Sequence, residues 1–265
     1  MTLSTPQNDL YTQRINAVIS HVRRNLDEDL SLETLARVGC FSKFHFHRVF
    51  KSITDETVND MVVRMRLERA ANLLRSIPKL SITAAAFEVG FSSVSVFSRA
   101  FKRHFGVNAR QWDRQIPLEN SKNDQFNDEF PRYTLEDLEN YSFEVKIRSL
   151  PKQRLAYLRV QDAYRSFGRV KDAYYRLMEW YRQQGGSLDS ISLYGMSQDH
   201  PAVTPLKLCR FDWCLRVPAD WKVDGDVSVT DFPACRVAAI RCDGINRRDL
   251  WYESLWALLL DFLLG

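Results

Sequence analysis

Hydrophobic positions in the first 110 residues recur at helical intervals, and they do so twice. Residues 30–51 read LSLETLARVGCFSKFHFHRVFK, and residues 80–102 read LSITAAAFEVGFSSVSVFSRAFK. Aligned from the start, Ala36 matches Ala86, Phe41 matches Phe91 and Ser42 matches Ser92. After one extra residue in the second copy, Phe46 matches Phe97, Arg48 matches Arg99, and Phe50-Lys51 matches Phe101-Lys102. Each copy predicts a short apolar helix, a tight turn and a second helix. In the first copy Ser31 caps a helix with Leu32, Leu35 and Ala36 inward, and Gly39 ends it in a left-handed conformation. Ser42 caps the next helix, which turns Phe46, Val49 and Phe50 inward and Lys43, His45, His47 and Arg48 outward. The second copy repeats the plan with Ser81, Gly90 and Ser92, turning Phe97, Ala100 and Phe101 inward and Val94, Ser95, Ser98 and Arg99 outward.

Between the copies, residues 57–76 predict a long helix. Val58, Met61, Val62, Met65, Leu73 and Leu74 form its apolar stripe, which Arg64, Arg66, Arg69 and Arg75 interrupt, and Pro78 ends it. Residues 114–140 then turn polar and acidic without sustained periodicity and read as a linker. Beyond them the period changes to two. Strands are expected at 143–150 and 154–161 around a turn at Pro151, then at 192–196, 209–217, 226–232 and 235–242. Helices are expected at 167–184 and 248–264. Two rounds of strand, helix and strand predict a duplicated α+β fold, with helices on one face of an antiparallel sheet and the other face free to form a groove. The expected domains are therefore an all-α tandem helix-turn-helix domain at 1–113 and an α+β domain at 141–265.

A short helix, a turn and a basic second helix suit a major-groove reader, and a rigid connector would set the separation of two such readers. Two ordinary helical hairpins with solvated charges would explain one copy as well; two matched copies in tandem favour DNA. Charge points the same way. Residues 1–115 hold 17 Lys and Arg against 11 Asp and Glu, whereas the rest holds 20 against 22. The excess that attracts phosphate lies with the helix pairs.

The connector RLERAANLLR (66–75) and the segment GFSSVSVFSRAFKRHFGVNARQW (90–112) carry a resemblance to the AraC/XylS-type DNA-binding domain. That resemblance implies double-stranded promoter DNA as partner, with RNA polymerase as a second candidate. It implies contacts from Lys43, Phe44, His47 and Arg48 on the first reading helix. From the second it implies Val94, Ser95, Ser98, Arg99 and Lys102. Arg suits guanine edges or phosphates and Ser either, so base and phosphate roles stay open for each residue. His104 reads as a surface or packing residue.

The second half resembles a GyrI-like effector-binding domain through LPKQRLAYLRV (150–160), GMSQDHPAVTPLKLCRFDWC (195–214) and DFPACRVAAIRCDG (231–244). The resemblance implies a small apolar or cationic ligand between aromatic-lined halves, with Tyr164, Phe211, Trp213 and Trp251 as candidate lining. An aromatic face attracts a cation by about 0.5–2 kcal/mol per contact. Relatives continue past the last helix with a final strand bearing a glutamate, which this sequence lacks. The apolar helix 248–264 is then a candidate dimer contact.

No apolar run reaches membrane length and no signal-peptide core precedes the first helix, so a cytoplasmic protein without a membrane partner is expected. Five cysteines fit reduced thiols in packing roles, without metal-site spacing or histidine partners. No cofactor, metal site or catalytic motif is expected. The alternative is a GyrI-like protein that binds or hydrolyses a small molecule, with Glu179 or Glu253 as its acid and DNA binding secondary.

Overall fold

The computed structural model describes residues 6–77, 79–112, 145–165, 167–200 and 203–240. Six helices come first: α1 (Pro6–Arg24), α2 (Leu32–Val38), α3 (Lys43–Thr54), α4 (Val58–Ser76), α5 (Ile82–Glu88) and α6 (Val94–Phe105). An α+β region follows, with β1 (Val145–Leu150), β2 (Gln153–Val160), α7 (Phe167–Gln183), β3 (Leu193–Ser197), β4 (Phe211–Arg216), β5 (Ser228–Phe232) and β6 (Cys235–Ile240). The linker 114–140, Pro78 and the helix 248–264 with Trp251 and Glu253 lie outside the described residues.

The chain forms two compact units, and the division does not follow the helical and α+β halves. The larger holds residues 1–118 together with 154–230, and the smaller holds 119–153 and 231–265. In the larger unit α1 was not anticipated, although Ile15, Val18, Ile19 and Val22 recur at the spacing of a buried helix face and are fully or almost fully buried. They pack with Leu35, Phe46, Phe50 and Met61 into the core of the first helix-turn-helix. A second core gathers Leu67, Ala71, Ala85, Ala86, Phe97 and Phe101. Helix α4 serves both: Val58, Met61, Val62 and Met65 join the first core, and Leu67, Ala70, Ala71 and Leu74, with Val63 packed against them, join the second.

The caps refine two expectations. Gly39 has φ −80° and is right-handed; the left-handed residue is Cys40, at φ 54°. Gly39 is needed for space, since a Cβ there would lie 2.9 Å from the Phe41 ring. In the second unit Ser93, not Ser92, caps α6 by accepting from the Ser95 N–H, because the inserted residue delays the helix by one position.

The α+β region departs from its sequence reading in connectivity. β1 and β2 flank Pro151 but do not pair with each other. β1 pairs antiparallel with β6, whereas β2 sits inside a four-stranded sheet of order β3-β4-β2-β5. Ala156, Leu158 and Val160 of β2 face α7 in a core with Leu177, Trp180 and Leu215. The alternate residues Leu155, Tyr157 and Arg159 face the other way. They are buried all the same, because that face is not the free groove the alternation suggested. α1 lies against it: Asn16 donates to Ser228 at 3.2 Å, Tyr157 bonds to Ser20 and Ser228, and Arg24 reaches Thr230 at 3.3 Å.

Candidate nucleic-acid interface

Each helix-turn-helix builds its outward face from what its core takes inward. In α3, Phe46, Val49 and Phe50 are buried, which leaves Lys43, Phe44, His47 and Arg48 exposed on the opposite side. Phe44 is 87% exposed, an unusual position for a large apolar ring, and it sits beside the cationic Lys43 and Arg48. In α6, Phe97, Ala100 and Phe101 are buried; Ser95, Arg99 and Lys102 are exposed, and Val94 and Ser98 are half-buried. The structure thus gathers the first set on one helix face and the second set on the equivalent face of the other unit. His104 is half-buried with its ring edge-on to Phe105 at 4.5 Å, a packing residue.

The aromatic candidates in the α+β region are structural in this state. Trp213 donates its indole N–H to the Val170 carbonyl at 2.9 Å and meets Phe211 and Tyr174 edge-on. Phe211 is buried, and Tyr164 donates its hydroxyl to Ser197 at 2.8 Å. Glu179 is exposed and ion-paired with Arg182 at 3.5 Å. Asp162, in a left-handed conformation, pairs with Arg165 and Arg169. Cys209 and Cys214 are buried free thiols, and burial pushes both well above the ordinary range. Among the described residues, no His, Cys, Asp and Glu cluster could hold a metal ion. No helix there is long and apolar enough to cross a membrane.

Sequence reasoning missed what joins the two parts of the larger unit. In the segment 199–208, within the stretch that carried the GyrI-like resemblance, the described residues from Val203 onward dock on α4. Val203 is buried in the second helix-turn-helix core, and Thr204 hydrogen-bonds Glu68. Arg64, read as an interruption of the apolar stripe, is 5% exposed and serves two carboxylates. Its Nε and Nη2 donate to Glu56 at 3.1 and 2.6 Å, and its Nη1 bridges both oxygens of Glu68 at 3.0 and 3.1 Å. Burial works against the Arg64 charge, but the two carboxylates outweigh it and the net shift is upward. Glu68 is the partner that gives way: burial pushes its carboxyl up to about 7 against the pull of Arg64, and Asp199 adds in the same direction. Burial would also raise Asp199, yet the Arg210 guanidinium and backbone N–H hold it below its usual range. Next to it, burial and the Arg75 charge depress His200 to about 4. A charged residue inside an apolar stripe was the signal that could have found this network.

Comparison with known proteins matches both halves of the chain. Residues 35–115 match a helix-turn-helix domain model, and residues 143–251 match a GyrI-like small molecule binding domain. The regulatory protein SoxS of Escherichia coli K12 is 31% identical over 91 residues, covering 34% of this chain and 84% of SoxS. An uncharacterised HTH-type transcriptional regulator from Pseudoalteromonas carrageenovora is 29% identical over 99 residues. That match covers 37% of this chain, which spans little more than half, 57%, of that relative's length. A crystal structure of a transcriptional regulator with an AraC-type DNA-binding domain, from Chromobacterium violaceum, aligns at a TM-score of 0.37 with 27% identity. It covers 39% of this chain and 94% of its own. The chain belongs to the AraC/XylS family of helix-turn-helix transcriptional regulators, with a GyrI-like domain in its second half.

Proposed function

We propose that this protein is a sequence-specific regulator that inserts α3 and α6 into successive major-groove windows of double-stranded promoter DNA. The observation that carries the reading is the matched exposure of two helix faces, Lys43, Phe44, His47 and Arg48 on α3 and Ser95, Arg99 and Lys102 on α6. Val94 and Ser98 complete the second face. Each helix has enough buried aromatic surface on its inner side to hold the outer side rigid. The Ser42 side chain makes no capping bond, which leaves the first-turn amides of α3 for a backbone phosphate. Arg48 and Arg99 carry donor forks suited to guanine edges, and Phe44 offers an apolar ring to a thymine methyl group.

The GyrI-like domain is the sensor in this reading, taking a small apolar or cationic molecule and passing its occupancy to α4 through the docked 199–208 segment. Along the sequence we take the domains as 1–113, 114–140 and 141–265, which the two compact units of the fold cut across. RNA polymerase is the partner that a promoter-bound activator would meet. Transcription regulation rather than catalysis, in the cytoplasm, fits the two relatives cited above, one named a regulatory protein and the other a transcriptional regulator. The test is a DNA-selection binding assay with the full chain at controlled salt. Enrichment of one motif of about 20 base pairs, two windows long, supports the reading. Binding without preference over random DNA sinks it.

A further inference from the structure

The two helix-turn-helix units have separate cores, and the buried positions of α4 change from one to the other at a single residue, although the partly buried Val63 already packs against the second. Met65 closes the first core and Leu67 opens the second. Arg66 stands between, half-buried. Its Nε donates to the Leu26 carbonyl at 2.8 Å and its Nη2 to the Glu28 carbonyl at 2.9 Å, both in the turn that follows α1. Burial lowers the pKa of Arg66, while Asp27 and Asp29 of the same turn act to raise it.

That turn is itself fixed to the first unit. Leu26 and Leu30 belong to its core, and Asp29 accepts from the backbone N–H of Ser31, the residue that caps α2. From the other side comes the second unit. Gly90, in the turn between α5 and α6, lies so close that a Cβ on it would stand 2.4 Å from the Leu26 carbonyl oxygen. The same atom would be 2.8 Å from Arg66 Nη2 and 2.9 Å from Asp27 Cα.

The internal repeat supplies a control. The residue equivalent to Gly90 in the first unit is Cys40, left-handed at φ 54° and exposed. This turn therefore accepts a side chain when nothing lies against it. Glycine at 90 answers to the contact as well as to the backbone, since its φ of 82° alone would strain a side chain without excluding it.

We infer that Arg66, with the Leu26–Glu28 turn and Gly90, is the joint that sets the spacing and angle between the two reading helices. Arg66 is a positioning residue: it meets no DNA, and it acts by tying the first unit's turn to the second unit's turn across the shared helix. A planar fork that spans two carbonyls does this where a lysine, with one flexible ammonium, does not.

The inference rests on the two-window DNA reading, and the experiment separates their failures. Full-length wild type, Arg66→Ala, Arg66→Lys and Gly90→Ala are titrated against the selected operator and against each half-site alone. They are also titrated against operators with one or two base pairs inserted between the windows. One inserted pair turns the far window by about 35° and shifts it by about 3.4 Å. A stiff joint penalises that; a loose one follows it. All three variants are expected to lose about tenfold on the intact operator, to stay within about twofold on the half-sites, and to show a flatter dependence on spacing. Half-site binding by the same preparation reports that each unit is folded. Equal losses on operator and half-sites, or an unchanged spacing profile, overturn the joint. A wild type that selects no operator overturns the DNA reading beneath it, and the joint with it.

Discussion

Replacing Glu68 by Gln tests the buried network where the 199–208 segment meets α4. Glu68 is 7% exposed and shares the single Arg64 guanidinium with Glu56, with Asp199 nearby. Burial raises its carboxyl from 4.5 to about 7. A folded pKa above the unfolded one means that the folded state holds the proton more tightly. The stability from this group is complete below pH about 4.5 and is lost as pH rises through about 7. The full gap corresponds to about 3 kcal/mol, which relaxation and water access around a buried charge cut to about 2. His200 works in the opposite direction, since its depressed pKa brings stability above about 6.5 that is lost as pH falls toward 4. Comparing the two proteins at each pH cancels that contribution. Urea unfolding followed by tryptophan fluorescence at pH 5, 6, 7 and 8 is the assay. Glu68→Gln should match wild type most nearly at pH 5 and gain about 2 kcal/mol on it by pH 8. A difference that is flat with pH refutes the argument. So does one that grows the other way, which would mean that Arg64 holds Glu68 ionised throughout.

Arg48→Ala or Arg99→Ala should cost about 1–3 kcal/mol on the selected operator and less on random DNA; equal losses in a titration on both would make them phosphate contacts. Affinity should fall steeply between low and physiological salt, and Lys43→Ala or Lys102→Ala should each reduce the slope of log K against log salt by about one. Val203→Asp buries a carboxylate in the second helix-turn-helix core and should destabilise the protein by about 3 kcal/mol in a urea melt. Phe97→Ala empties part of the same core and should cost about 3–5 kcal/mol, with α6 the helix whose amide-exchange protection falls most.

The elements whose partners lie within the same stretch of sequence were the legible ones. Phe46 and Phe50, or Phe97 and Phe101, are spaced to share a helix face, and Ser31, Thr57 and Ser81, before α2, α4 and α5, cap within three residues. The tandem repeat then placed the candidate DNA residues without any tertiary information. What stayed hidden depends on contacts between distant segments. β1 and β2 alternate as a hairpin would, but hydrophobic alternation specifies a face and not a partner, so their separation into two sheets had no local signal. α1 has an apolar face wide enough for a helix, yet its polar side, with Asn16, Ser20 and Arg24, gave no hint that it covers a sheet. Arg64 and Glu68 look solvated in one dimension because their burial is supplied by Glu56 on one side and by a segment more than 130 residues away on the other.

That segment bears on how the two halves communicate. Its apolar contribution to the second core is small, with Val203 the one buried side chain among its described residues that joins that cluster. Its polar contribution is large: Thr204 on Glu68, with the Asp199–Arg210 pair close enough to influence Arg64 and Glu68. Buried ion pairs of this kind recover little more than their own desolvation, but they are costly to break one partner at a time. A dock built this way has modest net strength and a sharply defined register. Under the proposed sensor role, a displacement of this segment would change the balance of charge on α4 at Arg64 and Glu68. Those residues lie within one turn of Arg66, where the two reading units are joined. The charge network and the joint thus sit on one short stretch of the connector. Under the proposed sensor role, that proximity would give a ligand signal a short physical route to the DNA-reading geometry, through a change in charge pairing rather than through continuous deformation of the cores.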